Sequence, residues 1–142
     1  MRSFKRREKA RRYAMQALYT WLMSKNSIKD VEAYYLADRN PRKYDTDYFL
    51  KLLNSVPLNL NDLENQLSPF LEKPINTIDP IELTILRIAT YELKYCEEIP
   101  YRVIIHESIE LAKSFGSIYG YKFINGVLDS MAKKLRQQEV PL

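Results

Sequence analysis

The side chains best suited to catalysis are the scarcest in this sequence: one cysteine, Cys96, and one histidine, His106. They fall on different helical segments, and a thiol–imidazole pair is the one nucleophilic arrangement they could form. A lone cysteine in an apolar helix ordinarily serves as a small core residue. A histidine there ordinarily caps or decorates the helix. Glu97 with Glu98, or Glu107 with Glu110, are the candidate acid/base pairs. Adjacent helical residues point in different directions, and charged helix faces are ordinarily just solvated. Nucleophile, base and orienting group nowhere come together, so the expectation is a protein without catalysis. A single Cys and a single His also exclude a disulfide framework and a zinc site made of those ligands. Three glycines leave no glycine-rich phosphate loop. No metal and no cofactor are expected.

Binding chemistry is better represented. Arg2, Lys5, Arg6, Arg7, Lys9, Arg11 and Arg12 lie within the first twelve residues with Glu8 alone against them, a local charge of +6. The whole chain is +4, so the remaining 130 residues, with 15 basic and 17 acidic groups, carry −2. An N-terminal basic arm (2–12) on a mildly acidic body is the pattern of a polyanion contact made by one terminus. Arginines held on a helix grip phosphates with little ordering cost, and single-stranded RNA also needs stacking surfaces. Tyr13 and Tyr19 lie just beyond the arm, and Tyr119, Tyr121 and Phe123 cluster with Lys122. Two bland readings compete, a solubilising tail and a targeting segment. Residues 2–12 followed by 13–23 have the outline of a signal peptide. Gln16 and Thr20 interrupt its apolar part, however, and Trp21 and Leu22 continue a core-facing stripe.

These groups must be positioned by helices. The chain is 142 residues long, 46% apolar and 28% charged, enough for one domain or two small lobes with a real core. No stretch is apolar enough to cross a membrane. Periodicity predicts helices over about 3–24, 30–37, 44–55, 59–70, 79–95, 103–115 and 119–137. Asp30 is the expected cap of the second, Pro57 the stop of the third, and Asn59 or Asn61 the cap of the fourth. Asp79-Pro80-Ile81-Glu82 reads as an Asp version of a capping box. The helix that follows is apolar over so much of its circumference that it should be central. Ile105, Ser108, Ile109, Ala112 and Phe115 are the expected buried face of the sixth helix, and Gly116 its C-cap. Asn125-Gly126 suggests a hairpin turn in isolation, but the flanking period is helical, and Gly126 reads as a close-packing position. The boundary between lobes is expected at 72–78.

Several motifs occur in an order that resembles the NusB transcription antitermination factors: RYAMQALYTW at 12–21, IATYEL at 88–93, IPY at 99–101, ESIELAKSFG at 107–116 and KFINGVLD at 122–129. The resemblance covers nearly the full chain. It implies an all-α fold of about seven helices in two packed sub-bundles, about 1–72 and 79–137. It implies a cytoplasmic, non-catalytic factor that binds boxA-type single-stranded RNA together with a small-subunit ribosomal protein, NusE. That pair joins an RNA polymerase antitermination complex promoting ribosomal RNA synthesis. By position, Arg6, Arg7, Lys9, Arg11 and Arg12 match the family's basic RNA-contacting stretch, and Lys122 and Phe123 a second RNA contact. Tyr19 matches a residue at the junction of RNA and protein partner. Glu82 and Arg87 match the side facing that partner, with a capping role and an internal salt bridge as their plainer explanations. SIYGY at 117–121 departs from the polar or acidic loop usual in the family. The alternatives are the RNA-recruiting helical domain of an rRNA cytosine methyltransferase and a protein-only assembly module. A homodimer is compatible with the family and undecided by the residues.

Overall fold

The computed structural model describes residues 2–141, with side chains from Phe4 onward. Met1, Leu142 and the side chains of Arg2 and Ser3 in the basic arm lie outside the described residues. Among those described there are seven α-helices and no strand. They are α1 (Arg2–Met23), α2 (Ile28–Asp38), α3 (Thr46–Leu58), α4 (Leu60–Leu67), α5 (Pro80–Tyr95), α6 (Tyr101–Phe115) and α7 (Gly120–Leu135), with single 3-10 turns at Ser68–Phe70 and Ile75–Thr77. The fold is all-α, as the periodicity indicated.

The chain divides into two compact units, Met1–Leu58 and Asn59–Leu142. The expected boundary at 72–78 therefore falls too late. α4 belongs with the second unit because it packs on α5. Leu63 and Leu67 are buried, Glu64 is paired with Arg87 at 2.9 Å, and Asp62 with Lys94 at 2.7 Å. Pro and polar residues around 72–78 mark a connection inside that unit, not its edge.

In the first unit α1 packs on α2 and α3. Ala10, Ala14, Ala17 and Leu18 of α1, Val31 and Tyr35 of α2, and Phe49, Leu52, Leu53 and Val56 of α3 are buried. Leu22, expected on the same stripe of α1, is 37% exposed where the helix runs out. Ser27, not Asp30, caps α2. Its backbone is extended and its hydroxyl accepts the Asp30 N–H at 3.1 Å, which leaves the Asp30 carboxylate in the first turn, where the helix dipole favours it. Pro57 sits one residue before the end of α3.

In the second unit α5 packs on α4, α6 and α7, and from Glu82 to Leu93 all but Arg87 are buried. At its start half of the expected capping box is built: Asp79 Oδ1 accepts the N–H groups of Ile81 at 2.9 Å and Glu82 at 3.1 Å, and Pro80 takes a position whose N–H would have had no partner, but the Glu82 carboxylate accepts the Ser117 hydroxyl in place of returning to the N-cap. Its far end is closed by Arg136, just beyond α7. The buried guanidinium donates to the carbonyls of Leu93 (2.7 Å), Cys96 (2.9 Å), Ile99 (3.0 Å) and Glu92 (3.2 Å) and pairs with Glu139 at 2.6 Å. Helix C-termini leave carbonyls short of intrahelical partners; here the Glu92 and Cys96 carbonyls also accept the N–H groups of Cys96 and Ile99, and one side chain serves the end of α5 and the turn after it. The buried face of α6 is Ile104, Ile105, Glu107, Ser108, Leu111 and Ala112, rotated slightly from the expected stripe, so that Ile109 and Phe115 are half-buried. Gly116 does end α6. Gly126 is not a close-packing position: a Cβ built there meets nothing within 4 Å.

Candidate nucleic-acid interface

The outward face of α1 presents Arg6, Lys9 and Arg12 to solvent, while Arg7 is half-buried. Arg11 is 2% exposed. The Arg7 and Arg11 guanidinium carbons lie 4.7 and 5.7 Å from the centre of the Tyr48 ring on α3, a cation–π arrangement that turns them toward the unit's interior. Arg11 thus packs inward, where the expected RNA-contacting arm would have it face solvent. It shares the helical stripe of Ala14, Met15 and Leu18, and that spacing was the available signal.

The exposed arm residues line one side of a groove of about 630 Å3. Lys5, Arg6, Lys9 and Arg12 come from α1, and Arg42 and Lys43 from the loop joining α2 and α3, with Glu8 the one carboxylate among them. Arg42 and Lys43 escaped the sequence reading, which took Asn40-Pro41 only as a break. Two hydrogen bonds fasten this loop to α1: Arg6 Nη2 donates to the Tyr44 carbonyl at 3.0 Å, and the Asp45 N–H donates to the Arg6 carbonyl at 3.0 Å. The Arg39 guanidinium lies 4.0 Å from the Tyr35 ring centre and 4.8 Å from that of Tyr13. Tyr13 also meets Tyr44 edge-on at 5.0 Å, so its ring is engaged in packing. Tyr19 is half-buried further along α1.

A second groove, of about 730 Å3, lies within the second unit and takes in Glu82, Lys122 and Phe123 together with Phe70, Tyr119 and Gly126. Lys122 is exposed with its Nζ 5.5 Å from the Tyr119 ring centre, and Tyr119 is 72% exposed. Phe123 and Tyr121 are half-buried, and Lys113 Nζ sits 5.1 Å from the Tyr121 ring centre. The unusual 117–121 loop thus presents a cation beside each of two aromatic rings.

Glu82 does not face outward. It is 7% exposed, and its carboxylate accepts the Ser117 hydroxyl at 2.9 Å. A Cβ at Gly120 would overlap that carboxylate. The residue latches the 117–120 loop onto the start of α5. Arg87 makes the internal ion pair with Glu64 on α4, its side chain 11% exposed.

Cys96 is fully buried, whereas His106 faces solvent with Nε2 4.0 Å from Glu107. They are not juxtaposed as nucleophile and base. No group of three or more His, Cys, Asp or Glu residues that could hold a metal occurs among the described residues, and no helix among them is long and apolar enough to cross a membrane. The clearest perturbed acid is structural. Asp62 accepts Lys94 Nζ at 2.7 Å and the Tyr95 hydroxyl at 2.6 Å. The bond from Lys94, followed by that from Tyr95, holds its carboxyl below the usual carboxylate range. Burial works to raise the Glu139 carboxyl, but the Tyr101 N–H and Arg136 together bring it below its ordinary value.

Helices alone, in two compact units, with a cation-lined groove on the first, define an all-α protein whose most distinctive surface is electrostatic. The model of the NusB family matches residues 8–133, and the chain belongs to that family. The transcription antitermination protein NusB of Legionella pneumophila (strain Corby) is 46% identical over 140 residues, covering 99% of this chain and 95% of that protein. The NusB of Idiomarina loihiensis is 48% identical over 130 residues, covering 92% and 94%. Among solved structures, T. maritima NusB matches with a TM-score of 0.76 at 29% identity, covering 89% of this chain and 90% of that one.

Proposed function

We propose that this protein is a cytoplasmic transcription antitermination factor without catalytic activity. It binds boxA-type single-stranded RNA together with the ribosomal protein NusE, and joins an RNA polymerase antitermination complex on ribosomal RNA operons. The observation that carries the reading is the cation-lined groove along α1, in a chain whose relatives bear the antitermination name over nearly their whole length. Those long matches to NusB proteins favour this reading over the methyltransferase-domain alternative. Arg6, Lys9 and Arg12 hold phosphates, with Arg7 contributing from a half-buried position. Lys122 and Phe123 supply a further cation and a stacking ring. Tyr19 serves the junction with NusE, and Arg87 the NusE-facing side with one guanidinium nitrogen already taken by Glu64. Glu82 acts through the loop it holds.

The test is fluorescence anisotropy of a labelled boxA-like RNA of about a dozen nucleotides and a scrambled control, with and without NusE, at two salt concentrations. Preference for the boxA-like RNA, strengthened by NusE and weakened by salt, is the expected result. Equal binding to both RNAs with no help from NusE would overturn it.

A further inference from the structure

We infer that the α2–α3 loop is the second wall of a preformed phosphate groove, and that Arg42 and Lys43 contact the RNA backbone alongside the basic face of α1. The inference rests on the RNA-binding reading above and extends it to a segment outside the basic arm.

Three observations carry it. Arg42 and Lys43 line the same groove as Lys5, Lys9 and Arg12, and both are exposed. Cations from two segments thereby surround a space of about 630 Å3, and a chain of phosphates is the ligand that neutralises them while leaving its bases free. The loop is also fixed before any ligand arrives. It is bolted to α1 through Arg6 and Asp45, Asp45 Oδ1 caps α3 by accepting the Tyr48 N–H at 3.0 Å, and Arg39 is clasped by Tyr13 and Tyr35. A wall held in this way loses little conformational freedom on binding, which is how preorganised sites gain affinity. Finally, Glu8 intrudes on the groove, a like charge to phosphate that weakens the site and makes its sign testable.

The experiment uses the full chain and a fluorescein-labelled single-stranded RNA of about twelve nucleotides, titrated between about 0.05 and 0.3 M salt. The variants are Arg42→Gln/Lys43→Gln, Lys9→Gln/Arg12→Gln, Glu8→Gln and, as a charge-matched control outside the groove, Lys25→Gln/Lys29→Gln. Each phosphate contact on a single strand adds about 0.7 to the slope of log affinity against log salt. Losing two makes the slope shallower by about 1.4 and lowers affinity about 25-fold at 0.1 M salt. Arg42→Gln/Lys43→Gln is expected to show both changes with an unaltered far-UV circular dichroism spectrum. Glu8→Gln is expected to tighten binding about two- to fivefold, the reach of a single surface charge, and the Lys25/Lys29 control to match wild type. If the Lys9/Arg12 variant loses affinity while the Arg42/Lys43 variant keeps both affinity and slope, the second wall is wrong and the arm reading stands. If neither loses affinity, the arm reading itself fails. If the control falls as far as the loop variant, net charge explains the loss and the groove does not.

Discussion

Replacing Arg136 by methionine keeps most of the volume of the side chain and removes its charge and all its donors. Four carbonyls, those of Glu92, Leu93, Cys96 and Ile99, then lose the guanidinium, and the Glu139 carboxylate loses its partner at 2.6 Å. Hydrogen bonds to a charged group contribute about 1.5–3 kcal/mol each, so a simple addition would exceed the whole stability of many domains. That addition overshoots, because carbonyls at a helix end regain water once the cap is gone. Glu139 is exposed and keeps the Tyr101 N–H, and the carbonyls of Glu92 and Cys96 keep backbone donors. The better guide is therefore the loss at the Leu93 and Ile99 carbonyls, about 1–3 kcal/mol each and about 4 kcal/mol together. The measurement is a urea titration followed by far-UV circular dichroism. With a slope of about 2 kcal/mol per molar urea, the midpoint should fall by about 2 M. Arg136→Lys should recover only part of this, because an ammonium cannot span four carbonyls with its three donors. A loss below about 1 kcal/mol in the methionine variant would refute the reasoning. It would mean that the end of α5 is held by apolar packing and that the guanidinium is merely accommodated.

Gly126→Ala should stabilise the chain by about 0.5–1 kcal/mol, since the site is helical and a methyl meets open space; thermal melts check this. Gly120→Ala should destabilise by about 1–3 kcal/mol through overlap with the Glu82 carboxylate, and Glu82→Ala in the same chain should relieve most of that cost in a double-mutant cycle. Acid should weaken the second unit. Asp62 and Glu139 both have lowered folded-state values, so the stability they lend is present above the unfolded carboxylate range and lost as pH falls through those folded values. The melting temperature should therefore drop below about pH 4. That drop should be smaller in Asp62→Asn/Glu139→Gln; an equal drop would place the acid sensitivity elsewhere.

The helices were legible because their boundaries are written locally. Asp79-Pro80 starts α5 by chemistry that needs no tertiary information, and the stripe on α7 outweighed the Asn125-Gly126 dipeptide. The cap of α2 was missed for the opposite reason: Ser27 and Asp30 are both competent, and backbone geometry chose between them. In the candidate interface the basic arm was visible as charge density, but charge density carries no direction. Helical spacing would have put Arg11 with Ala14, Met15 and Leu18, yet the residue type was read before its register. Arg42 and Lys43 could not be assigned locally, because only the fastening of their loop to α1 brings them to the groove. Glu82 shows the same limit: its Ser117 partner is 35 residues away.

The seal that Arg136 places over the corner between α5 and α6 also encloses the chain's one thiol. Cys96 is fully buried, and its carbonyl is one of the four that the guanidinium holds. An alkylating reagent therefore reaches the sulfur only when that corner opens, so the alkylation rate of the unmodified protein becomes a clock for local unfolding under native conditions. The same enclosure makes the chain a clean host for a single engineered surface cysteine, because a dye attached there has no faster competitor.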